Sequence, residues 1–175
     1  MLKKPEANQY PEYYQRYVNL VPDGDIFEIL KSNKEQIVKL LSGLTDKQAE
    51  YRYAEGKWCI KEVLGHIIDL ERIFTDRSLR IARNQKSNIP QYDHDAFVKE
   101  ANFDKQKIAD LIEQYVTARD SALAMFKSFD EEAWERIGIS GEKNFITKCF
   151  PFIIAGHELH HLGVIKERYL PGIKK

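Results

Sequence analysis

Three histidines lie within five positions of the segment "IAGHELHHLGV" (residues 154–164), and imidazoles at this spacing could bind a metal ion. If the segment is helical, a rotation of about 100° per residue places His157 and His161 one above the other on the apolar face. His160 falls about 60° to the side, on the flank of that face. The sequence therefore predicts that His157 and His161, rather than His160, point towards the interior.

Another histidine, His66, lies on the apolar face of an upstream segment, in line with Leu70 and Ile73. A single inward histidine is usually a hydrogen-bonded core residue, but three buried imidazoles without partners would cost on the order of 1–3 kcal/mol each. A pair at i and i+4 together with a ligand from a neighbouring helix forms a three-nitrogen metal site. Three protein ligands leave coordination positions open, as catalytic sites do. We therefore predict a divalent-metal site formed by His66, His157 and His161.

The same segment contains H-E-x-x-H, the signature of a class of zinc proteases, in His157, Glu158 and His160. Such a protease takes its third ligand downstream, yet no histidine follows His161. Glu158 also lies about 100° from His157, on the wrong side for a site centred on His157 and His161. A ferritin-like di-iron site would need two Glu-x-x-His motifs and further inward glutamates, and "EVLGH" has the wrong spacing for the second motif. Neither alternative fits the sequence.

Four long amphipathic segments must position these histidines. We predict helices at about residues 25–41, 59–83, 104–129 and 147–169. Asp25, Cys59 and Thr147 are the expected N-caps of the first, second and fourth helices, and Asp93 is expected to cap a short turn of helix at residues 93–98. Residues 138–144 indicate a turn, and no alternating strand pattern is found. The sequence thus predicts an all-α four-helix bundle.

Composition narrows the class of protein. At 175 residues, with 43% apolar and 31% charged residues, the chain is expected to be one globular domain, residues 1–175. Lys+Arg and Asp+Glu both number 27, so no net charge favours nucleic acid or an anionic membrane as a partner. Neither a signal peptide nor a membrane-spanning stretch is recognised, and we expect a cytoplasmic protein. Cys59 and Cys149 are expected to be buried free thiols.

The segments "WCIKEVLGHIIDLERIFTDRSLRIAR" and "IIAGHELHHLGVIKERY" resemble the DinB-like superfamily, which includes YfiT-type metal-dependent proteins. The likeness extends over nearly the whole chain. It implies an up-down-down-up four-helix bundle, often homodimeric, with a metal ion on one histidine of the second helix and an H-x-x-x-H pair of the last. In this chain those positions are His66, His157 and His161. Cys59 stands where relatives often have serine, which leaves the ligands intact.

These observations lead to two classes of function. Zinc, nickel and iron all suit imidazole ligands, and a divalent ion lowers the pKa of a bound water or thiol. Because some relatives are thiol-dependent S-transferases or isomerases, we expect S-transfer with a low-molecular-weight thiol, or hydrolysis, acting on a small-molecule substrate. The alternative is a non-catalytic metal- or ligand-binding bundle. A cavity of a few hundred Å³ that opens onto the metal would distinguish an enzyme from such a bundle.

The sequence assigns no catalytic acid or base. Asp69 could orient a ligand or act as a base, but a salt bridge with Arg72 or Arg77 explains it equally well. Tyr92 and Asp93 could form the rim of a pocket. The nine Phe, nine Tyr and two Trp exceed what one core obviously needs, so we expect them either at a homodimer interface or in the pocket and at the bundle ends.

Overall fold

A computed structural model describes residues 1–173. Within them lie eight α-helices: α1 (Gln15–Val18), α2 (Ile26–Leu41), α3 (Asp46–Ala49), α4 (Ile60–Ala82), α5 (His94–Ala101), α6 (Ile108–Phe126), α7 (Glu131–Glu135) and α8 (Cys149–Val164). Two short strands, β1 (Ile137–Ser140) and β2 (Lys143–Ile146), pair antiparallel. The chain continues from α8 as a π-helical turn, Ile165–Tyr169. Short 3₁₀ turns occupy Ala7–Gln9, Glu12–Tyr14, Phe103–Lys105 and Leu170–Gly172. None of the described helices is long and apolar enough to cross a membrane.

Two side-chain contacts show the relative direction of α4 and α6. Near the start of α4, the Lys61 ammonium donates to the carbonyl of Asp104, just before α6. Three turns further along, Arg72 donates to Gln114 within α6. Both helices therefore run the same way, from one end of the bundle to the other.

The last long helix, α8, lies between α2 and α4. The ring of Phe74 near the end of α4 packs against Phe150 at the start of α8, with centroids 5.8 Å apart, so these two helices are antiparallel. The start of α2 shares a core cluster with the start of α8, and the end of α2 shares another with its end, so α2 and α8 are parallel. The up-down-down-up four-helix bundle is thereby confirmed, with α4 next to α8 as the histidines require.

Local sequence accounts for most helix starts. The backbone N–H of Phe27 donates to the Asp25 carboxylate at 2.8 Å, and the N–H of Cys59 donates to Glu62 at 2.7 Å. Asp93 accepts two backbone N–H groups at the start of α5, which continues to Ala101 rather than ending after one turn. These three predicted caps are confirmed, because each depends on side chains only a few residues away.

The predicted start of the third long helix is wrong. Residues 103–105 form a separate 3₁₀ turn, and α6 begins only at Ile108 and ends at Phe126. The N–H of Ile108 donates at 2.7 Å to the carboxylate of Asp46, which belongs to the connection after α2. The cap therefore comes from a distant part of the chain, and no local pattern could have indicated it.

The prediction of no strand is also wrong, because the hairpin reverses the usual alternation. Its buried positions include Gly138 and Ser140, whereas Ile137 and Ile139 are exposed. A Cβ at Gly138 would lie 2.5 Å from the Ile81 side chain, so only glycine allows β1 to pack this closely on α4. The φ angles of residues 141 and 142, 55° and 65°, are those that a two-residue hairpin turn of type I′ needs.

The predicted cap of the fourth helix is also wrong, because Thr147 belongs to the base of this unpredicted hairpin. Thr147 follows β2 directly, and its hydroxyl donates at 3.1 Å to the carbonyl of Arg136, just before β1. This closes the base of the hairpin instead of capping a helix. The last long helix starts two residues later, at Cys149, so Pro151 lies in its first turn, where proline is tolerated.

A buried ion cluster joins all four long helices. Arg119 of α6 donates at 2.6 Å to Glu71 of α4, at 3.1 Å to Glu158 of α8 and at 2.6 Å to the carbonyl of Leu30 of α2. The Tyr115 hydroxyl also donates to Glu158. Burial lowers the pKa of Arg119, but the two carboxylates outweigh it and raise the pKa above its ordinary value. The guanidinium of Arg119 is therefore fully charged, and its hydrogen bonds connect α6 to the other three long helices.

Arg119→Ala should lower the free energy of unfolding by about 3–5 kcal/mol, because it leaves two buried carboxylates without their cation. Urea denaturation followed by circular dichroism measures this. Lys34→Ala is the matched control, since it removes an ion pair with the exposed Asp120 and should cost at most about 1 kcal/mol. Equal losses in the two variants would contradict the structural role of Arg119.

Candidate metal centre

The three imidazoles predicted as ligands meet between α4 and α8. Nε2 of His157 lies 2.9 Å from Nε2 of His66 and 3.1 Å from Nε2 of His161. His66 and His157 are 6% and 2% exposed, and His161 is partly buried. The structure thus brings together the three residues that the sequence singled out, each presenting the same ring nitrogen. Metal binding by them stays a prediction.

The spacing of these nitrogens fits a shared cation. Two nitrogens at about 2.0–2.1 Å from one ion lie roughly 2.9–3.4 Å apart for bond angles between about 90° and 109°. Both contacts of His157 fall within this range. A neutral imidazole nitrogen is either donor or acceptor, so His157 Nε2 can form a linear hydrogen bond with only one neighbour. A cation between the rings would satisfy all three lone pairs together.

The site keeps its imidazoles neutral. Burial, followed by the nearby His94, lowers the pKa of His66 to about 4. Burial and the neighbouring histidines hold the pKa values of His157 and His161 well below the ordinary 6.5. Metal ligands must be unprotonated, so the rings are in the form that binds a cation across the neutral pH range.

A glycine precedes a ligand on each of the two helices, and both glycines are sites of close packing. A Cβ on Gly65 would lie 2.3 Å from the ring of Phe103, and a Cβ on Gly156 would lie 1.9 Å from the carbonyl oxygen of Tyr17. The absence of a side chain lets neighbouring segments approach the backbone next to each ligand. Gly156 in particular allows α1 to close over α8.

Aromatic rings cover the histidines on several sides. The ring of Tyr17 packs edge-on against His157 with centroids 5.2 Å apart, and the indole of Trp58 lies 5.0 Å from His66. His94 from the start of α5 adds a further ring 5.6 Å from His66. These contacts restrict the rotation of the imidazoles and remove water from one side of the site.

The structure agrees with the rejection of a protease motif. The Glu158 carboxylate is fully buried on a different face of α8 from His157, where Arg119 and Tyr115 bind it. His160 is exposed, and its ring packs against Tyr17 at 5.7 Å. Of the H-E-x-x-H residues, only His157 belongs to the triad. The His160 ring lies beside that of His161, with centroids 5.0 Å apart, but contributes no nitrogen to the cluster.

A cavity of about 610 Å³ opens onto the triad. Much of its wall is aromatic, with contributions from Tyr13, Tyr14, Tyr17, Trp58, Phe74, Tyr92 and Phe145. Many of the surplus aromatic residues are therefore accounted for by the cavity, as one of the two sequence interpretations expected. The homodimer, the other interpretation, stays a prediction.

Charges in the cavity wall all have one sign. Arg16, Arg77 and Lys143 contribute to the lining, whereas none of the described residues that form it is Asp or Glu. The wall therefore supplies no carboxylate to act as a base or a counter-ion.

The structure assigns different roles to the three remaining candidates, Asp69, Tyr92 and Asp93. The Asp69 carboxylate lies 3.9 Å from Arg72, as the salt-bridge interpretation expected, and burial raises its pKa. Tyr92 lines the cavity, while Asp93 caps α5. Of the expected pocket rim, only Tyr92 is found there.

Both cysteines are free and buried, as predicted. Burial raises the pKa of Cys59 to about 11 and that of Cys149 well above its ordinary value. Neither is among the described residues that line the cavity, so the chain brings no thiol of its own to the triad.

Several cavity residues were missed by the sequence analysis. Arg77 follows His66 by three helical turns, so the angular argument used for the histidines could have found it. Trp58, His94 and Ser140 come from loops, a short helix and an unpredicted strand. Their positions depend on tertiary packing, and no spacing in the sequence indicates them.

Comparison with known proteins identifies the family. Residues 29–165 match the DinB superfamily, and the chain belongs to it. A search of curated proteins gives no significant match to the sequence. The class of protein defined here is thus a DinB-type helical bundle with an internal histidine triad.

Solved structures show the same fold. YfiT from Bacillus subtilis, described as a probable metal-dependent hydrolase with an unusual four-helix bundle topology, is similar with a TM-score of 0.74 and 14% identity over 94% of this chain and 90% of its own. The mycothiol-dependent maleylpyruvate isomerase is similar with a TM-score of 0.68 and 8% identity. That match covers 90% of this chain and 66% of the isomerase. At such identities the likeness concerns the fold alone.

The metal-free protein should lose stability as the pH falls from about 6.5 to about 4. Its buried imidazoles stay neutral in this window while those of the unfolded chain take up protons, so acid favours unfolding by up to about 1.4 kcal/mol per pH unit for each ring. Urea denaturation after chelation of metal measures the slope. A metal-free His66→Gln variant should show a shallower slope, and an unchanged slope would contradict the assignment to the triad.

Proposed function

We propose that this protein is a metal-dependent enzyme that holds a divalent transition-metal ion, zinc, nickel or iron, on His66, His157 and His161. Its reaction would transfer a low-molecular-weight thiol to a small-molecule electrophile. The observation that carries the proposal is the cavity of about 610 Å³ that ends at three neutral imidazoles. A purely structural site has its ligands closed off by packing, whereas this triad faces a space that can accept a substrate.

The lining of the cavity favours a thiol over water as the nucleophile. A divalent ion on three neutral imidazoles keeps its charge of +2 and lowers the pKa of a water or thiol that it binds. A free thiol has a pKa of about 8.5 and bulk water one of 15.7, so a thiol needs far less help to ionise at neutral pH. The described wall offers no carboxylate base to supply that help. The buried cysteines make an external thiol necessary.

The chain's own residues would bind and orient the reactants. Tyr17 packs against His157 and Trp58 against His66, which restricts the rotation of both imidazoles and leaves the triad open towards the cavity. The aromatic wall supplies apolar surface for a small organic molecule. A cytoplasmic location, where free thiols are kept reduced, fits this proposal.

Hydrolysis of a small molecule is the second candidate, supported by the similarity in fold to the probable hydrolase YfiT. The similarity to the mycothiol-dependent isomerase supports the thiol reaction in the same way. A non-catalytic metal-binding bundle has less support, because it would not need so large a cavity beside its ligands. Thiol-dependent turnover separates these functions.

Replacement of His157 or His161 by Ala should abolish stoichiometric metal, because two imidazoles hold a divalent ion far more weakly than three. His160→Ala is the matched control and should keep the metal, since its ring lies outside the triad. Metal content is measured by mass spectrometry after anaerobic purification. Loss of metal in His160→Ala with retention in His161→Ala would instead support the H-E-x-x-H site.

The protein loaded with each metal should consume a low-molecular-weight thiol in the presence of an electrophile such as 1-chloro-2,4-dinitrobenzene, while the His161→Ala variant should not. Absorbance of the thioether product, with glutathione, cysteine and coenzyme A tested in turn, measures the rate. Metal-dependent cleavage of nitrophenyl esters without any thiol would favour hydrolysis. Stoichiometric metal with neither activity would favour the binding bundle.

A further inference from the structure

Arg77 stands in the cavity wall with a positive charge that the described part of the protein leaves uncompensated. Arg77 as a whole is only 3% exposed to solvent. Nη2 donates to the carbonyl of Pro90 at 3.1 Å, but Nε is buried without a hydrogen-bond partner among the described residues. No carboxylate in residues 1–173 lies within ion-pair distance of it. The other buried arginine, Arg119, is bound by two carboxylates.

The neighbours of Arg77 orient it without neutralising it. Its Cζ lies 5.1 Å from the ring centre of Phe74 and 5.6 Å from that of Tyr92. Tyr14, on the same wall, cannot serve as a counter-ion either, because burial raises the pKa values of both tyrosines and keeps them protonated. Arginine stays charged in proteins, and an unpaired buried charge is costly. A ligand anion would remove that cost.

A second unpartnered donor lines the same cavity. The hydroxyl of Ser140 on β1 is buried, 1% of the residue is exposed, and Oγ has no hydrogen-bond partner among the described residues. Lys143, the residue opposite Ser140 in the hairpin, also contributes to the wall. The long helix α4 and the hairpin thus bring a guanidinium, a hydroxyl and an ammonium to the wall of one cavity, and all three groups can donate hydrogen bonds to an oxyanion.

We propose that Arg77 and Ser140, with Lys143 at the rim, form a subsite for a carboxylate or phosphate group of the molecule that occupies the cavity. This deepens the proposed function and rests on it for the reaction at the histidine end. The oxyanion belongs either to the small-molecule substrate or to the thiol.

The position of the subsite defines the shape of the ligand. Arg77 follows His66 by 11 residues on α4, which is about 16 Å along the helix and nearly the same face. Leu70 and Phe74 form the wall between them. The expected ligand is therefore elongated, with its reacting group at the triad, an apolar middle and an oxyanion at the far end.

The test compares a carboxylate with its neutral amide. The affinities of 4-phenylbutyrate and 4-phenylbutyramide are measured by calorimetry on the full chain, with metal content determined in parallel. The wild-type protein should bind the carboxylate at least about tenfold more tightly, as expected for charge-assisted hydrogen bonds. Arg77→Met should abolish that preference at unchanged metal content, and Arg77→Lys should retain part of it. A preference that survives in Arg77→Met would overturn the subsite.

A matched pair of thiols identifies the molecule that carries the oxyanion. N-acetylcysteine is compared with its methyl ester in the same variants. An Arg77-dependent preference in the thiol pair alone assigns the subsite to the thiol, and one in the phenylbutyrate pair alone assigns it to the substrate. If neither pair shows an Arg77-dependent preference, the subsite is refuted.

Thermal denaturation separates ligand binding from a structural role. Arg77→Met should leave Tm unchanged or raise it, because it removes an uncompensated buried charge. If it does not fold, the role of Arg77 is structural and the subsite is overturned unless Ser140→Ala, a nearly isosteric change, lowers carboxylate affinity about threefold while sparing the amide. If the wild-type protein takes up no metal ion but still shows Arg77-dependent carboxylate binding, the proposed function is refuted and the subsite is supported.

Discussion

The single guanidinium of Arg119 sets the rotation of the helices that carry the histidines. It binds Glu71 on α4 and Glu158 on α8. Glu158 follows His157 directly, so while its carboxylate binds Arg119 in the bundle core, the imidazole of His157 lies about 100° further around α8 and faces the triad between α4 and α8. Glu71 follows His66 by five residues, about 140° around α4, with the same consequence. This one buried ion cluster thus fixes the rotation of α4 and α8. Each helix directs a carboxylate to Arg119 in the bundle core and an imidazole to the cavity.

The features predicted from the sequence are those that depend on near neighbours. Helical periodicity predicted the four long helices. The capping hydrogen bonds at Asp25 and Cys59 join groups only two or three residues apart in the sequence, so they could be predicted as well. The inward faces of His66, His157 and His161 followed from rotation along single helices. The resemblance to a known superfamily added the order of the helices. Rotation alone shows which rings point inward, but only the packing of α4 on α8 brings them to a common point.

The features that were missed depend on distant segments or on inverted patterns. The N-terminus of α6 is capped by Asp46, far away in the sequence. The hairpin buries Gly138 and Ser140 and exposes two isoleucines, so the alternation that reveals a strand was reversed. Missing this hairpin also hid one wall of the cavity, because Ser140 belongs to it. The sequence analysis considered Arg77 only as a possible salt-bridge partner of Asp69, and the structure shows that Asp69 pairs with Arg72 instead.

The two buried arginines show how the fold separates charges. In the bundle core the guanidinium of Arg119 is bound by the carboxylates of Glu71 and Glu158, so its charge is compensated. In the cavity the described wall has cations and neutral imidazoles but no carboxylate. Because low-dielectric walls concentrate the field of unpaired charges, such a cavity attracts anions and repels cationic molecules. A divalent ion at the triad adds to the same positive potential, so the histidine end and the arginine end would select for negative charge together.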